Sequence, residues 1–67
     1  MKQTKSQQAV ENLYNGNIPD AKRLAKRAPY FKLIEACDAA GITPARAVIA
    51  TRYLKGMESW QTFCSAV

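Results

Sequence analysis

The carboxylates of this sequence are its first candidates for catalytic side chains. Only Glu35 and Asp38 fall on one helical face, at i and i+3. A carboxylate pair can carry out acid–base work when it is buried, but this pair flanks the exposed side of an amphipathic helix. The chain also has no histidine, the commonest general base and metal ligand. We therefore do not expect an enzyme.

The cysteines and glycines do not form a known type of site either. Cys37 and Cys64 are far apart in the sequence and form no CxxC pair, so they do not supply a zinc site. Cys64 has no histidine to activate it as a nucleophile. The glycines are isolated, so no phosphate-cradling loop is present. We expect no metal and no cofactor, and we expect both thiols to be reduced and to lie on apolar helical stripes.

Basic side chains form the most suggestive pattern. The second predicted helix, Pro19 to about Ala28, stacks like charges at i and i+4, which repel by about 0.2–0.5 kcal/mol per pair. Nothing in the local sequence is expected to neutralise them. The whole chain carries ten Lys and Arg against five Asp and Glu, a net charge of +5. Such a charge favours anionic partners. The alternative is that the charge has no binding role and only keeps the protein soluble. The four cations of this helix are Lys22, Arg23, Lys26 and Arg27.

Two kinds of binding protein fit this pattern. The first hypothesis is a small non-enzymatic protein that contacts nucleic-acid phosphates through the basic helix. The alternative is an adaptor or inhibitor that docks the same face on an acidic surface of a host protein. Exposed aromatic side chains would be natural interface anchors, and the candidates are Phe31 and Trp60. Further candidate cations for either partner are Lys32, Arg46, Arg52 and Lys55.

Helix signals place these residues on short elements of one small domain, 1–67. Residues 1–5 are expected to be disordered, and Thr4 or Ser6 can cap the first helix. A glycine is expected at the end of the first, third and fourth helices. Whether Pro29 kinks one long helix or separates two stays open. The expected helices are Thr4–Asn15, Pro19–Ala28, one from about Pro29 to Gly41, one from Thr43 to Lys55, and one from Met57 or Ser59 to about Ala66.

The fold class that follows is all-α. We expect a compact bundle of four to five short helices with a helical hairpin, about 29–55, at its centre. The fourth helix is apolar on nearly every side, with Thr51 among its few surface positions, and Tyr14 and Tyr30 fall on inward stripes. A chain of 67 residues buries only about 60% of its unfolded surface. A second copy of the chain could bury more of this surface, so a homodimer is also considered.

The segment Ala36–Thr43 resembles the turn of a helix-turn-helix motif. A small residue stands before a glycine, and a hydrophobic residue and a helix start follow. The resemblance implies a recognition helix that begins near Thr43. The sequence departs from the motif where base-reading side chains are needed, because Arg46 is the only strong reader there. An ordinary helical hairpin explains the same residues.

The run NGNIPDAKRLAKR, together with YLKG and WQTFC, resembles small uncharacterised open reading frames of enterobacterial phages and plasmids. The resemblance implies a host-takeover or accessory role and gives no residue-level function. The N-terminal sequence MKQTKSQQ has no apolar signal region, and no stretch approaches the ~18 apolar residues of a membrane span. We expect a cytoplasmic protein with no membrane partner.

Overall fold

Five α-helices follow one another in the computed structural model, which describes residues 4–65. The predicted all-α bundle is confirmed, and α3 and α4 form the predicted hairpin. None of the helices in the described part of the chain is long and apolar enough to cross a bilayer. Thr4 and Lys5, which were expected to be disordered, are the N-cap and the first residue of the first helix. The predictions for residues 1–3 and for Ala66 lie outside the described residues. The helices are α1 (Lys5–Tyr14), α2 (Ile18–Lys26), α3 (Tyr30–Ala39), α4 (Pro44–Leu54) and α5 (Trp60–Ser65).

Local hydrogen bonds at the helix ends agree with the sequence. Thr4 caps α1, because its hydroxyl accepts from the Gln7 N–H at 3.2 Å and the Gln7 side chain accepts from the Thr4 N–H at 2.9 Å. Gly41 ends α3 with a φ of 81°, a left-handed conformation that glycine adopts without strain. The Ile42 N–H then donates to the Cys37 carbonyl at 3.0 Å, the Schellman arrangement. The same arrangement follows α1 and α4.

Pro29 separates two helices. Helix α2 ends at Lys26, and Pro29 is the N-cap of α3, with extended φ and ψ of −66° and 154°. Proline disfavours helical geometry in the residue before it, which explains why α2 does not continue through Ala28. The question that the sequence leaves open is thereby answered.

The core combines alanines from α1 to α4 with larger side chains from α1, α3, α4 and α5. Ala9, Ala21 and Ala25 are completely buried, which lets α1 and α2 approach closely. Leu33 of α3 is also completely buried. Tyr53 of α4 closes the core on the side of α5.

Three predicted orientations were wrong. Thr51 is completely buried because it shares the inward face of α4 with Ala47 and Leu54. Tyr14 and Tyr30 are exposed. Tyr14 is the last residue of α1 and Tyr30 the first of α3, so both rings lie at the edge of the core.

The two cysteines differ in their surroundings. Cys37 is buried as predicted, but Cys64 is exposed, so its predicted place on a buried stripe was wrong. The short α5 buries only Phe63 among its described residues and leaves Cys64 outside. Burial also raises the pKa of the Cys37 thiol, which lowers its thiolate fraction.

We expect the two thiols to react in separate phases with a thiol reagent such as Ellman's reagent at mildly alkaline pH. Cys64 should react at once, and Cys37 only when the protein is unfolded in guanidinium chloride, because the thiolate is the reactive form and must be accessible. Absorbance of the released chromophore measures both phases. Cys64→Ser should remove the first phase alone, and a native protein that reacts at both thiols in the first phase would contradict the buried position of Cys37.

Candidate functional site

The α2 basic face consists of Lys22, Arg23, Lys26 and Arg27. Pro19 and Asp20 in the first turn favour the start of α2, and the opposite side of the helix is buried through its alanines. The cations are therefore turned away from α1. Arg23, Lys26 and Arg27 are exposed, and Lys22 is half-buried.

One of these cations has an acidic neighbour. Arg23 donates to the Asp20 carboxylate at 2.6 Å, which corrects the expectation that nothing nearby neutralises the helix. The i, i+3 spacing of the pair was the signal in the sequence that could have revealed it. Lys26 and Arg27 form no ion pair within residues 4–65. The exposed cations of α2 that have no acidic partner among residues 4–65 therefore lie at its C-terminal end.

Lys22 connects the α2 basic face to a group of aromatic rings. Its ammonium nitrogen lies 4.6 Å from the centroid of the Tyr53 ring, within the range of a cation–π interaction. Tyr53 stacks on Phe63 at 5.2 Å and contacts Trp60 at 5.6 Å between ring centroids. We call Tyr53, Trp60 and Phe63 the aromatic cluster. Periodicity within single helices could not have predicted this connection, because the rings come from α4 and α5.

Lys55 has a structural role, because it connects α4 to the end of α2. Its ammonium donates to the backbone carbonyl of Ala25 at 2.7 Å and also to that of Ala28. The Ala25 carbonyl lies in the last turn of α2, where it also accepts from the Ala28 N–H at 3.1 Å, and the Ala28 carbonyl follows just after the helix. The helix dipole is negative at this end, which favours a cation there. Lys55 is thus not a free cation for a partner. It also places one more positive charge at the end of α2 that carries Lys26 and Arg27.

The remaining predicted cations are engaged with neighbours, and the α2 basic face does not include them. Lys32 pairs with Glu35 at 3.7 Å, and Arg52 pairs with Glu58 at 3.2 Å. The Arg46 guanidinium is half-buried, 5.9 Å from the centroid of the Tyr14 ring.

Both predicted aromatic anchors are exposed. Phe31 is 59% exposed at the start of α3, with the Lys32 ammonium 5.6 Å from its ring centroid. Trp60 is 51% exposed at the start of α5. They differ in their surroundings, because Trp60 belongs to the aromatic cluster beside Lys22, whereas Lys32 next to Phe31 is paired with a carboxylate.

A groove of about 440 Å³ lies between α1 and α3. Its titratable side chains are Glu11 and Tyr14, and partial burial raises the pKa of the Tyr14 hydroxyl. The rest of its lining is apolar apart from Gln7, and consists of Val10, Ala36, Ala39, Ala40 and Ile42. Among residues 4–65, no three or more His, Cys, Asp or Glu side chains come together as metal ligands would.

The connection between α3 and α4 keeps the order of elements that the helix-turn-helix resemblance implies. The exposed side chains at the start of α4 are Pro44, Ala45 and Val48, none of which can form directional hydrogen bonds with a base edge. Arg46, the predicted reader, lies beside Tyr14. The α2 basic face is therefore the stronger candidate surface.

Comparisons with protein-family models, with curated proteins and with solved structures found no match to this chain. What the protein binds must therefore be inferred from its own surface. The feature that most favours a partner is the α2 basic face, because its C-terminal cations have no acidic partner among residues 4–65 and its Lys22 contacts the aromatic cluster.

Proposed function

We propose that this chain is a small, basic, non-enzymatic cytoplasmic protein that binds nucleic acid through its phosphates, using the α2 basic face. The observation that carries the proposal is the pair Lys26 and Arg27, both exposed and without an acidic partner in the described part of the chain. They extend from a helix end whose carbonyls already accept from the ammonium of Lys55. Phosphates are the groups best suited to this excess of charge.

The distribution of the charge also supports the proposal. A surface built for solubility intersperses charges of both signs. Here three cations on other positions have a carboxylate within 4 Å, whereas the C-terminal end of α2 gathers Lys26, Arg27 and Lys55 with none. The pairs Lys22/Lys26 and Arg23/Arg27 also stand at i, i+4, a spacing at which like charges repel. A polyanion would relieve that repulsion and release its counterions on binding.

The double variant Lys26→Glu/Arg27→Glu tests this proposal. We expect it to weaken binding to a labelled oligonucleotide about 100-fold at low salt, and to reduce the slope of log affinity against log salt by about 1.5, since each of the two phosphate contacts contributes about 0.7–0.9. Fluorescence anisotropy over a series of salt concentrations measures both quantities. Circular dichroism should show an unchanged fold, because both side chains are exposed.

A matched control separates the α2 basic face from net charge. Lys5→Glu/Lys32→Glu changes the total charge by the same amount at two exposed lysines on α1 and α3. It should weaken binding much less and leave most of the salt slope. Equal losses in the two double variants would show that only total charge matters, and no measurable binding by the wild type would refute the proposal.

A second candidate function is docking on an acidic host protein, and the exposed ring of Phe31 favours it. A phosphate contact does not use this ring, whereas aromatic anchors are common at protein interfaces. This function also agrees with the accessory role that the phage and plasmid resemblance implies. A pull-down from nuclease-treated lysate at high salt discriminates the two. One stoichiometric protein, held by the wild type and lost from Phe31→Ala, would favour the adaptor.

A further inference from the structure

Trp60 is an exposed ring that packs on Tyr53 and Phe63, the other two rings of the aromatic cluster. Its centroid lies 5.6 Å from both Tyr53 and Phe63, while half of its surface remains open to solvent. The segment before it is also fixed. Arg52 holds Glu58 at 3.2 Å, and the Ser59 hydroxyl accepts from the Thr62 N–H at 3.1 Å at the start of α5. A ligand would therefore find the indole already in place.

The aromatic cluster lies next to the α2 basic face. Tyr53 is the shared neighbour, because Lys22 lies over its ring and Trp60 packs against it. Lys26 lies one turn further along α2, and Arg27 is the C-cap of the helix. An open aromatic ring beside basic side chains is the combination with which proteins hold single strands, with bases stacked on rings and the backbone on cations.

We infer that the nucleic acid is single-stranded and that one of its bases stacks on Trp60 while the neighbouring phosphates contact Lys22 and Lys26. This inference rests on the proposed function. A duplex keeps its bases stacked on each other and offers only phosphates and groove edges to this surface, so it cannot use the indole. Every base has a π-face, so the stacking is expected to tolerate changes of sequence. Phe31 does not suit this purpose, because its neighbour Lys32 is paired with Glu35.

The test compares oligothymidylate, oligouridylate and a mixed-sequence duplex as ligands of the wild type and Trp60→Leu. Leucine keeps an apolar contact with the aromatic cluster but cannot stack. We expect Trp60→Leu to weaken binding of both single strands about 10-fold and to leave duplex binding and the salt slope nearly unchanged. The chain has one tryptophan, so quenching of its fluorescence by a single strand reports the stacking directly.

Phe31→Leu is the matched control, since it changes another exposed aromatic residue outside the aromatic cluster. It should bind all three ligands as the wild type does. If wild-type fluorescence is unquenched and Trp60→Leu weakens single strands and duplex equally or not at all, this inference fails while the proposed function stands. If the wild type binds none of the three ligands at low salt, the proposed function itself fails.

Discussion

Phe63→Ala is expected to release α5 from the bundle and to lower the free energy of unfolding by about 3 kcal/mol. Phe63 is only 8% exposed and is the one buried residue of α5 among those described. Its ring stacks on Tyr53 and contacts Tyr14 edge to face at 5.9 Å. A helix of six residues is not stable in water on its own, so α5 depends on this contact.

Chemical denaturation followed by circular dichroism measures the loss of stability. Trp60 emission should shift to the red in the native variant, because the indole loses its contact with Phe63. Phe31→Ala makes the same substitution at an exposed ring and should change the free energy of unfolding by less than about 0.5 kcal/mol. Equal stability of Phe63→Ala and the wild type would mean that α5 is not held by this ring.

The helices were predictable because their boundaries depend on local chemistry. Thr4, Gly41 and Pro29 act through their own backbone or through residues a few positions away, so the sequence contains the whole cause. Orientation was less predictable. The polarity of Thr51 suggested a surface position, yet its spacing from Ala47 and Leu54 decides where it lies. The place of Thr51 on the helix therefore determines its burial, and the polarity of its hydroxyl does not.

The candidate site was predictable only in part, for a similar reason. The cations of α2 follow from composition and the i, i+4 pattern, and they lie together on one face. The contacts that distinguish one cation from another join distant parts of the chain. Lys22 meets Tyr53, and Lys55 meets Ala25 and Ala28, only after α2 and α4 have packed. No pattern within one helix contains that information.

Lys55→Met is expected to lower the free energy of unfolding by about 2 kcal/mol. Methionine keeps much of the apolar stem but leaves the carbonyls of Ala25 and Ala28 without the ammonium that they accept from. Hydrogen bonds to charged groups contribute about 1.5–3 kcal/mol each, part of which water recovers at a half-buried site. For a domain of this size the midpoint of thermal unfolding should fall by about 10 °C.

Lys26→Met is the matched control, and the two variants should dissociate stability from binding. Lys26 is exposed and has no hydrogen-bond or ion-pair partner within the described chain, so its loss should change the free energy of unfolding by less than about 0.5 kcal/mol. It should remove about one phosphate contact from the salt slope, whereas Lys55→Met should retain most of the affinity at temperatures where it is folded. The converse result, a stable Lys55→Met variant that no longer binds, would mean that the Lys55 ammonium leaves the α2 carbonyls to bind phosphate. The ammonium of Lys55 thus stabilises the end of α2, whereas that of Lys26 is available to bind a partner.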